Sequence, residues 1–262
     1  MSQTLPPRAV VCDLDGVVWL AHREIPGASD ALNRLRGAGA DILFVTNASF
    51  TTVGEVESHL ARLGIEAGGR VLTSAMAAAG AVDRGATVLL CGGDGLREEL
   101  EKRDCRVSLA HEVPGTTETY DAVVVGLYRQ FDYQVLSDCM RAVRNGARLV
   151  ASNADNSYPT PDGPTPGGGA VLAAIAVAAG VEPLVTGKPH GPMVDLVRNR
   201  LGGTPASRTV VIGDKVATDG HLARELGCRF GFVLSGVGEA AETPEGSLVA
   251  RDLAALVDVL LG

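Results

Sequence analysis

The chain has 262 residues, of which 46% are hydrophobic and 21% are charged, so it has enough apolar side chains for one large globular domain or two smaller ones. Its net charge of −8 argues against binding to nucleic acid or to an anionic membrane surface, because like charges repel at long range. Five scattered cysteines without a C-x-x-C pattern argue against a disulfide framework or a zinc site, and they favour a reducing, cytoplasmic location.

Short apolar segments alternate with longer amphipathic ones along the chain. In chain order, strands are predicted at 9–12, 42–45, 87–91, 122–126, 149–151, 209–212 and 230–234. Helices are predicted at 28–36, 52–63, 95–103, 133–145, 168–179, 218–226 and 252–260. Strands that are apolar throughout, separated by helices, are typical of a parallel sheet covered on both faces. The Pro- and Gly-rich segment 159–169 is predicted to be a loop, and the longest apolar run, 170–179, is too short to cross a bilayer.

The first motif with chemical potential is Asp13-Leu14-Asp15-Gly16, which follows the first predicted strand. Two carboxylates two residues apart point the same way in an extended chain, so they can bind a hard cation together. One of them can then attack as a nucleophile while the other moves protons. A surface turn is the alternative interpretation, since Asp and Gly are common turn residues.

Three further polar motifs also follow predicted strands. Thr46 and Asn47 can hydrogen-bond phosphate oxygens, and Lys188 in a Gly-Lys-Pro segment can place a positive charge on a phosphate. Asp214 and Asp219 offer carboxylates for a metal. The alternatives are an ordinary loop, a solvated surface lysine and a helix N-cap, respectively. Because ligands bind at the carboxyl ends of strands in open α/β sheets, convergence of these motifs would make the middle of the chain an inserted second domain.

In this order, D-x-D-G, T-N, G-K-P and G-D-x-x-x-T-D resemble the haloacid dehalogenase (HAD) superfamily of phosphatases. The chain more closely resembles their NagD-like branch, which includes the phosphoglycolate and pyridoxal-phosphate phosphatases. The opening segment 13–19 resembles that branch, as do the segments 145–148, 152–155 and 165–167. The likeness therefore covers nearly the whole chain.

The resemblance implies an α/β fold with a HAD-like, doubly wound parallel-sheet core and an inserted α/β cap domain. The core would comprise residues 1–79 and 183–262, and the cap residues 80–182. The implied activity is Mg²⁺-dependent hydrolysis of a small phosphorylated metabolite through an aspartyl-phosphate intermediate. Relatives with caps of this kind often form homodimers through the cap.

The resemblance also implies roles for individual residues. Asp13 would be the nucleophile, and Asp15 would protonate the leaving alcohol and then activate water. The metal ligands would be Asp13, Asp214 and the backbone carbonyl of Asp15, with Asp219 as a supporting acid. The phosphate-binding residues would be Thr46, Asn47 and Lys188. Candidates for substrate contacts from the cap are Asn153, Asp155 and Tyr158. Tyr158 is the best single candidate for specificity, because it falls where relatives vary with substrate.

The chain departs from the branch at Ala48, where relatives usually carry a second Asn, and at Ala217, where many carry an acid. The departure at Ala48 affects the contacts of the phosphate loop rather than the mechanism, and the one at Ala217 is expected to have mild local effects. A phosphotransferase or mutase on the same fold is an open alternative. A non-catalytic binding protein on the fold fits less well, because Asp13, Asp15, Lys188 and Asp214 are all present. A receiver-like phospho-acceptor domain fits less well, because such domains are about half this length and lack an acid two residues after the phosphorylated Asp. A Rossmann dehydrogenase is excluded, because it would need G-x-G-x-x-G after the first strand and this chain has Asp13-Leu14-Asp15-Gly16 there.

Overall fold

The computed structural model describes residues 6–160, 163–236, 238 and 243–262. The chain forms two compact units. Unit 1 comprises Met1–Thr46, Gly54–Leu72 and Val194–Gly262, and unit 2 comprises Asn47–Val53 and Thr73–Met193. The predicted cap, residues 80–182, lies entirely within unit 2, and the predicted division into a catalytic core and a cap stays a prediction.

The bounds of the strands and helices are as follows. The strands are β1 (Ala9–Cys12), β2 (Trp19–Leu20), β3 (Arg23–Glu24), β4 (Asp41–Thr46), β5 (Val71–Thr73), β6 (Thr87–Cys91), β7 (Arg106–Leu109), β8 (Ala122–Val125), β9 (Arg148–Ala151), β10 (Ser157–Thr160), β11 (Gly163–Pro166), β12 (Leu184–Val185), β13 (Thr209–Gly213), β14 (Arg229–Val233) and β15 (Leu248–Ala250). The α-helices are α1 (Ala28–Gly37), α2 (Val53–Arg62), α3 (Ser74–Gly80), α4 (Asp94–Glu101), α5 (Tyr133–Arg144), α6 (Gly168–Ala179), α7 (Gly191–Leu201), α8 (His221–Leu226) and α9 (Leu253–Leu261). A short 3₁₀ helix covers Ala206–Arg208, and a π turn covers Val216–Gly220.

The sheet of unit 1 has the strand order β15-β14-β13-β1-β4-β5, and its four pairings from β15 to β4 are parallel. The chain moves outward in one direction after β1 and in the other after β13, so the sheet is doubly wound, as predicted. The order reverses between β1 and β13, where Cys12 pairs with Ile212. Such a switch point is where open α/β sheets bind ligands, at the carboxyl ends of the two strands.

The local sequence explains why these elements bury the sides that they do. All four residues of β1 are buried, because a central parallel strand is covered on both faces. On α1, the buried residues are Ala28, Ala31, Leu32 and Leu35, at the spacing of one helical face. That face allows α1 to pack on β4 and on α9.

Unit 2 contains a five-stranded sheet of order β12-β9-β8-β6-β7, in which every pairing is parallel. Alternate residues of β6 face opposite sides of this sheet. Val88 and Leu90 belong to a buried cluster that includes residues of α3 and α4, whereas Leu89 and Cys91 belong to a second cluster with residues of α5 and α6. Helices therefore cover both faces, which explains why the strand is apolar throughout.

A buried carboxylate stabilises the loop before β8. Asp138 on α5 is almost fully buried and accepts hydrogen bonds from the main-chain N–H of Gly115 (2.9 Å), from Gln134 (3.0 Å) and from Arg141 (2.7 Å). Burial raises the pKa of Asp138, but the three donors outweigh it and hold the pKa below its usual value. The charged form of Asp138 is therefore part of the folded structure.

The prediction that 159–169 is a loop was wrong, because β10 and β11 form an antiparallel hairpin there. Prolines fall in the pairs Ser157–Pro166 and Pro159–Pro164, which alternate with pairs that lack proline. Alternate pairs of an antiparallel ladder do not exchange hydrogen bonds, so these prolines need not donate an N–H. The other predicted helices and strands are confirmed within a few residues at each end, except that the helix predicted at 218–226 begins with the π turn. Elements that were not predicted are β2, β3, β5, α3, β7, α7 and β15, whereas β12 is the strand expected before Lys188.

The most apolar segment, α6, has 12 residues, which corresponds to about 18 Å of helix. The hydrocarbon core of a bilayer is about 30 Å thick. Across the described ranges of the chain, none of the helices combines the length and the apolar character needed to traverse a membrane.

Candidate active site

Three aspartates meet at the switch point of the unit 1 sheet. Asp13 follows β1, its N–H donates to the carbonyl of Ile212 (2.9 Å), and Asp214 follows the neighbouring β13. Asp219 completes the group: one carboxylate oxygen from each of the three aspartates lies within 4.8 Å of the others. The exposed fractions are only 9%, 3% and 1%, respectively. Three carboxylates this close and this buried repel one another unless a cation compensates their charge.

The composition and packing of this group fit a hard divalent cation. The donors are all carboxylate oxygens, which Mg²⁺ and Ca²⁺ prefer over softer metals. Main chain packs tightly around Asp214: a Cβ at Gly16 would lie 2.5 Å from its Oδ2, and a Cβ at Gly236 would lie 1.9 Å from it. Only glycine fits at these two positions, and the Asp214 carboxylate is thereby held in one place. The residues present can therefore hold Mg²⁺.

Asp219 is directed back toward β13 by the π turn. Its carboxylate accepts hydrogen bonds from the main-chain N–H of Lys215 (3.3 Å) and from the hydroxyl of Thr218 (3.3 Å). The following helix α8 begins at His221 and has Gly220 as its N-cap, so Asp219 is not the cap of that helix. Single π turns often occur at functional sites, and here the turn brings Asp219 into the acidic group.

Asp15 lies in the turn after Asp13, and its carboxylate is oriented by a tryptophan. The indole N–H of Trp19 donates to Oδ1 of Asp15 at 3.1 Å. Trp19 is buried and its ring meets the edge of His59, with ring centroids 4.7 Å apart. Burial lowers the pKa of His59, and Arg62 and His22 act in the same direction. No role for Trp19 was predicted from the sequence, whereas the structure gives it a contact with a predicted catalytic acid.

The same turn is tied to the loop that follows β14. The hydroxyl of Ser235 donates to the carbonyl of Gly16 (2.7 Å), and Gly236 is the residue that packs against Asp214. The sequence prediction missed Ser235 and Gly236. The signal that could have found them is their position just after a buried strand, which is the position of the other site residues.

Thr46 is the buried last residue of β4, and the remaining predicted residues belong to unit 2. There, Asn47 pairs with the main chain of Lys188 at two points. Its Oδ1 accepts from the N–H of Lys188 (2.8 Å), and its Nδ2 donates to the carbonyl of Lys188 (3.2 Å). The same Nδ2 donates to the carboxylate of Asp155 (3.2 Å). The structure thus brings Asn47, Asp155 and Lys188 together in one hydrogen-bonded group.

Further polar side chains extend this group. The carbonyl of Asn47 accepts from the Asn153 side chain (2.9 Å) and from the Ser74 hydroxyl (2.6 Å). The hydroxyls of Ser49 and Ser152 lie 2.8 Å apart. The prediction did not include these three serines, because serine carries no spacing signal of its own. Tyr158 lies on β10, half-buried and paired with Thr165 of β11.

Comparison with known proteins places these observations in a family. Residues 10–106 match the model of the haloacid dehalogenase-like hydrolases, and residues 185–256 match a second model, described as HAD-hydrolase-like. Mouse (Mus musculus) chronophin is 36% identical over 248 residues, which cover 90% of this chain and 83% of chronophin. The acid sugar phosphatase of Staphylococcus saprophyticus is 35% identical over 216 residues, which cover 81% of this chain and 80% of that enzyme.

Solved structures give a similar result. The crystal structure of a glycerol phosphate phosphatase from Mycobacterium tuberculosis, in complex with magnesium, matches with a TM-score of 0.83 and 33% identity. The match covers 96% of this chain and 76% of that one.

Proposed function

This chain belongs to the haloacid dehalogenase-like hydrolases, in their NagD branch, and we propose that it hydrolyses a small phosphate monoester through a phosphorylated Asp13. Its relatives include an acid sugar phosphatase and a glycerol phosphate phosphatase, and the chain is accordingly a phosphoric monoester hydrolase. The observation that most strongly supports the proposal is the group of Asp13, Asp214 and Asp219, buried within 4.8 Å of one another after adjacent strands.

The proposed reaction has two steps. The carboxylate of Asp13 attacks the phosphorus atom, the ester P–O bond breaks, and the carboxyl group of Asp15 gives its proton to the departing alkoxide. The Asp15 carboxylate then takes a proton from water, which attacks the aspartyl phosphate and releases inorganic phosphate and free Asp13. The indole N–H of Trp19 holds the Asp15 carboxylate in place, which supports a role in proton transfer.

We propose that Mg²⁺ is held by Asp13, Asp214 and the carbonyl of Asp15, with Asp219 as the supporting acid. A bound Mg²⁺ supplies positive charge that offsets the negative charge of the phosphoryl group during its transfer. Asp219 would keep the acidic group in place, since its own carboxylate accepts hydrogen bonds from the main-chain N–H of Lys215 and the hydroxyl of Thr218.

We propose that Thr46, Asn47 and Lys188 bind the phosphate. Lys188 is only 4% exposed, and a buried ammonium group is stabilised by negative charge beside it. A bound phosphate would add such charge. The side-chain N–H groups of Asn47 are directed to Lys188 and Asp155, so its contribution to phosphate binding would come from its main-chain N–H. The position of Ala48, which has no side-chain amide to offer, agrees with binding through the main chain of this loop.

The proposed substrate is a small phosphorylated metabolite, selected by the part of unit 2 that the sequence assigns to the cap. Tyr158 is the proposed specificity residue, because it lies on the β10–β11 hairpin and carries a large side chain with a polar tip. Asn153 and Asp155 are the other residues of the predicted cap that the resemblance suggests for substrate contacts. The relatives named above act on different esters, so the class of substrate rather than one compound is proposed.

We also propose a cytoplasmic location and a homodimer through the cap. None of the five cysteines, all of which lie in the described part of the chain, is in a disulfide, which suits a reducing compartment. On α6, Val177 is 83% exposed, and it lies four residues from Ala173 and seven from Ala170, both of which are exposed. This outward apolar stripe is a surface that a second copy of the chain could cover.

The proposal is tested by measuring phosphate release from a panel of small phosphate esters, with and without Mg²⁺, for the wild type and for Asp13→Asn. We expect Mg²⁺-dependent release by the wild type and essentially none by a correctly folded Asp13→Asn. Substantial residual release by the variant would reject Asp13 as the nucleophile. Transfer of the phosphoryl group to an added alcohol in place of water would instead support the phosphotransferase alternative.

A further inference from the structure

We propose that Asp155 is a positioning residue: through the side chain of Asn47 it holds the Lys188 turn in the geometry that binds phosphate. The inference rests on the proposed function, since it requires Lys188 to bind the phosphate of the substrate. It changes the expected role of Asp155, which the sequence suggested as a direct substrate contact. The role follows from the hydrogen bonds of the three residues and from the packing of the main chain around them.

The Asn47 amide is fully used within unit 2. A side-chain amide has two N–H donors and one carbonyl acceptor. Here the carbonyl accepts from the N–H of Lys188, and the N–H groups face the carbonyl of Lys188 and the carboxylate of Asp155, each at 3.2 Å. The contact with Asp155 sets which way the amide points, because a carboxylate only accepts hydrogen bonds. A reversed amide would present its oxygen to two acceptors and its N–H groups to a donor.

The Lys188 turn depends on that orientation. A Cβ at Gly187 would lie 2.6 Å from Oδ1 of Asn47 and 2.4 Å from the carbonyl of Ser152. The main chain of Gly187 therefore packs directly against the amide, and there is no room for a side chain between them. If the amide rotates or moves, the main chain of Lys188 loses both of its hydrogen bonds to Asn47. The Lys188 side chain is then no longer attached to a fixed main-chain position.

Asp155 is itself rigidly placed. Its N–H donates to the side chain of Asn153 (3.1 Å), and its carbonyl accepts from the N–H of Gly169 (2.9 Å) at the start of α6. A Cβ at Gly167 would lie 2.2 Å from that carbonyl. The carboxylate of Asp155 is thus anchored through its main chain to a helix, and it can orient Asn47 at little further cost in conformational entropy.

The arrangement links two functions on one short segment. Tyr158, the proposed specificity residue, follows Asp155 by three positions and is the second residue of the hairpin strand β10. A single segment therefore carries both the residue that would select the leaving group and the residue that aligns the phosphate-binding turn. A substitution at Asp155 is expected to act on the phosphate group that all substrates share, and one at Tyr158 on the part that differs.

The test compares Asp155→Ala, Asp155→Asn and an exposed control in the same unit, Glu182→Ala. The probes are inorganic phosphate, used as a competitive inhibitor, and two esters with different leaving groups. For Asp155→Ala we expect the inhibition constant of phosphate and both KM values to rise together, by roughly tenfold, which is typical for loss of a hydrogen bond to a charged group. Asp155→Asn keeps an acceptor oxygen, so we expect it to stay within about threefold of the wild type. Glu182→Ala should match the wild type.

Three results would overturn the inference. One is an unchanged inhibition constant of phosphate in Asp155→Ala, and another is a loss confined to one of the two esters, which would make Asp155 a substrate contact. The third is an Asp155→Asn variant as impaired as Asp155→Ala, since the charge rather than the hydrogen bond would then matter. Thermal unfolding of each variant identifies any loss of fold, and Asp155→Asn keeps the test valid if Asp155→Ala is unstable. Absence of turnover in the wild type would instead count against the proposed function.

Discussion

Replacement of Gly213 by alanine would perturb the acidic group through one added methyl group. Gly213 is the last residue of β13, and a Cβ there would lie 2.2 Å from the Cβ of Asp219 and 2.4 Å from its Oδ2. Atoms that are not bonded do not approach to that distance, so Asp219 must move. Asp219 is 1% exposed and is held by Lys215 and Thr218, so it can move only if the π turn shifts with it.

Two effects of Gly213→Ala can be estimated. Overpacking of a buried site costs about 1–3 kcal/mol of the free energy of unfolding. Displacement of an acid that supports a metal site typically lowers metal affinity by about 10–100-fold. We therefore expect the Mg²⁺ concentration for half-maximal phosphate release to rise by at least about tenfold, and the maximal rate at saturating Mg²⁺ to fall less. Phosphate release titrated with Mg²⁺ measures the loss of metal affinity, and urea unfolding without Mg²⁺ measures the cost of overpacking.

A matched control is Gly54→Ala on α2, where a Cβ would meet no atom within 4 Å. We expect this variant to keep the Mg²⁺ dependence of the wild type and to be as stable or slightly more so, because alanine is the better helix former. An unchanged Mg²⁺ titration for Gly213→Ala, together with a clear loss of stability, would refute a role for Asp219 in metal binding. No change in either quantity would refute the close packing itself.

Two further predictions concern single hydrogen bonds. Trp19→Phe removes the N–H donated to Asp15 and keeps an aromatic ring beside His59. We therefore expect steady-state assays to show kcat lowered roughly tenfold with KM nearly unchanged. A change in KM alone would contradict this. Asp138→Asn removes a carboxylate whose pKa is lowered on folding, because its three donors outweigh burial. We expect urea unfolding to show that the free energy of unfolding falls by about 1–3 kcal/mol relative to the wild type near pH 7. This difference should disappear as the pH falls below about 3.9, the usual pKa of Asp, and then through the lowered pKa of Asp138. A loss independent of pH would contradict this.

The acidic group of unit 1 could be predicted because its geometry follows from local rules. Apolar runs of four or five residues end at Asp13 and Asp214, and parallel strands place their carboxyl ends on one edge of the sheet. The sequence could not show that β1 and β13 are neighbours, since that is a property of strand order. The acids come together because Cys12 pairs with Ile212, and this register was available only from the structure.

The residues of the hydrogen-bonded group in unit 2 were named from the sequence, but their hydrogen bonds could not be predicted, because these contacts join residues far apart in the sequence. Asn47 is 108 positions from Asp155 and 141 from Lys188, and each of the three lies in a segment that resembles an ordinary polar loop. What distinguishes this group from a surface loop is that the partly buried Asn47 amide satisfies its donors and its acceptor with other groups of the protein. These hydrogen bonds exist only because three segments of the chain meet. Whether Asn47 lies in an ordinary loop could therefore be decided only from the three-dimensional structure.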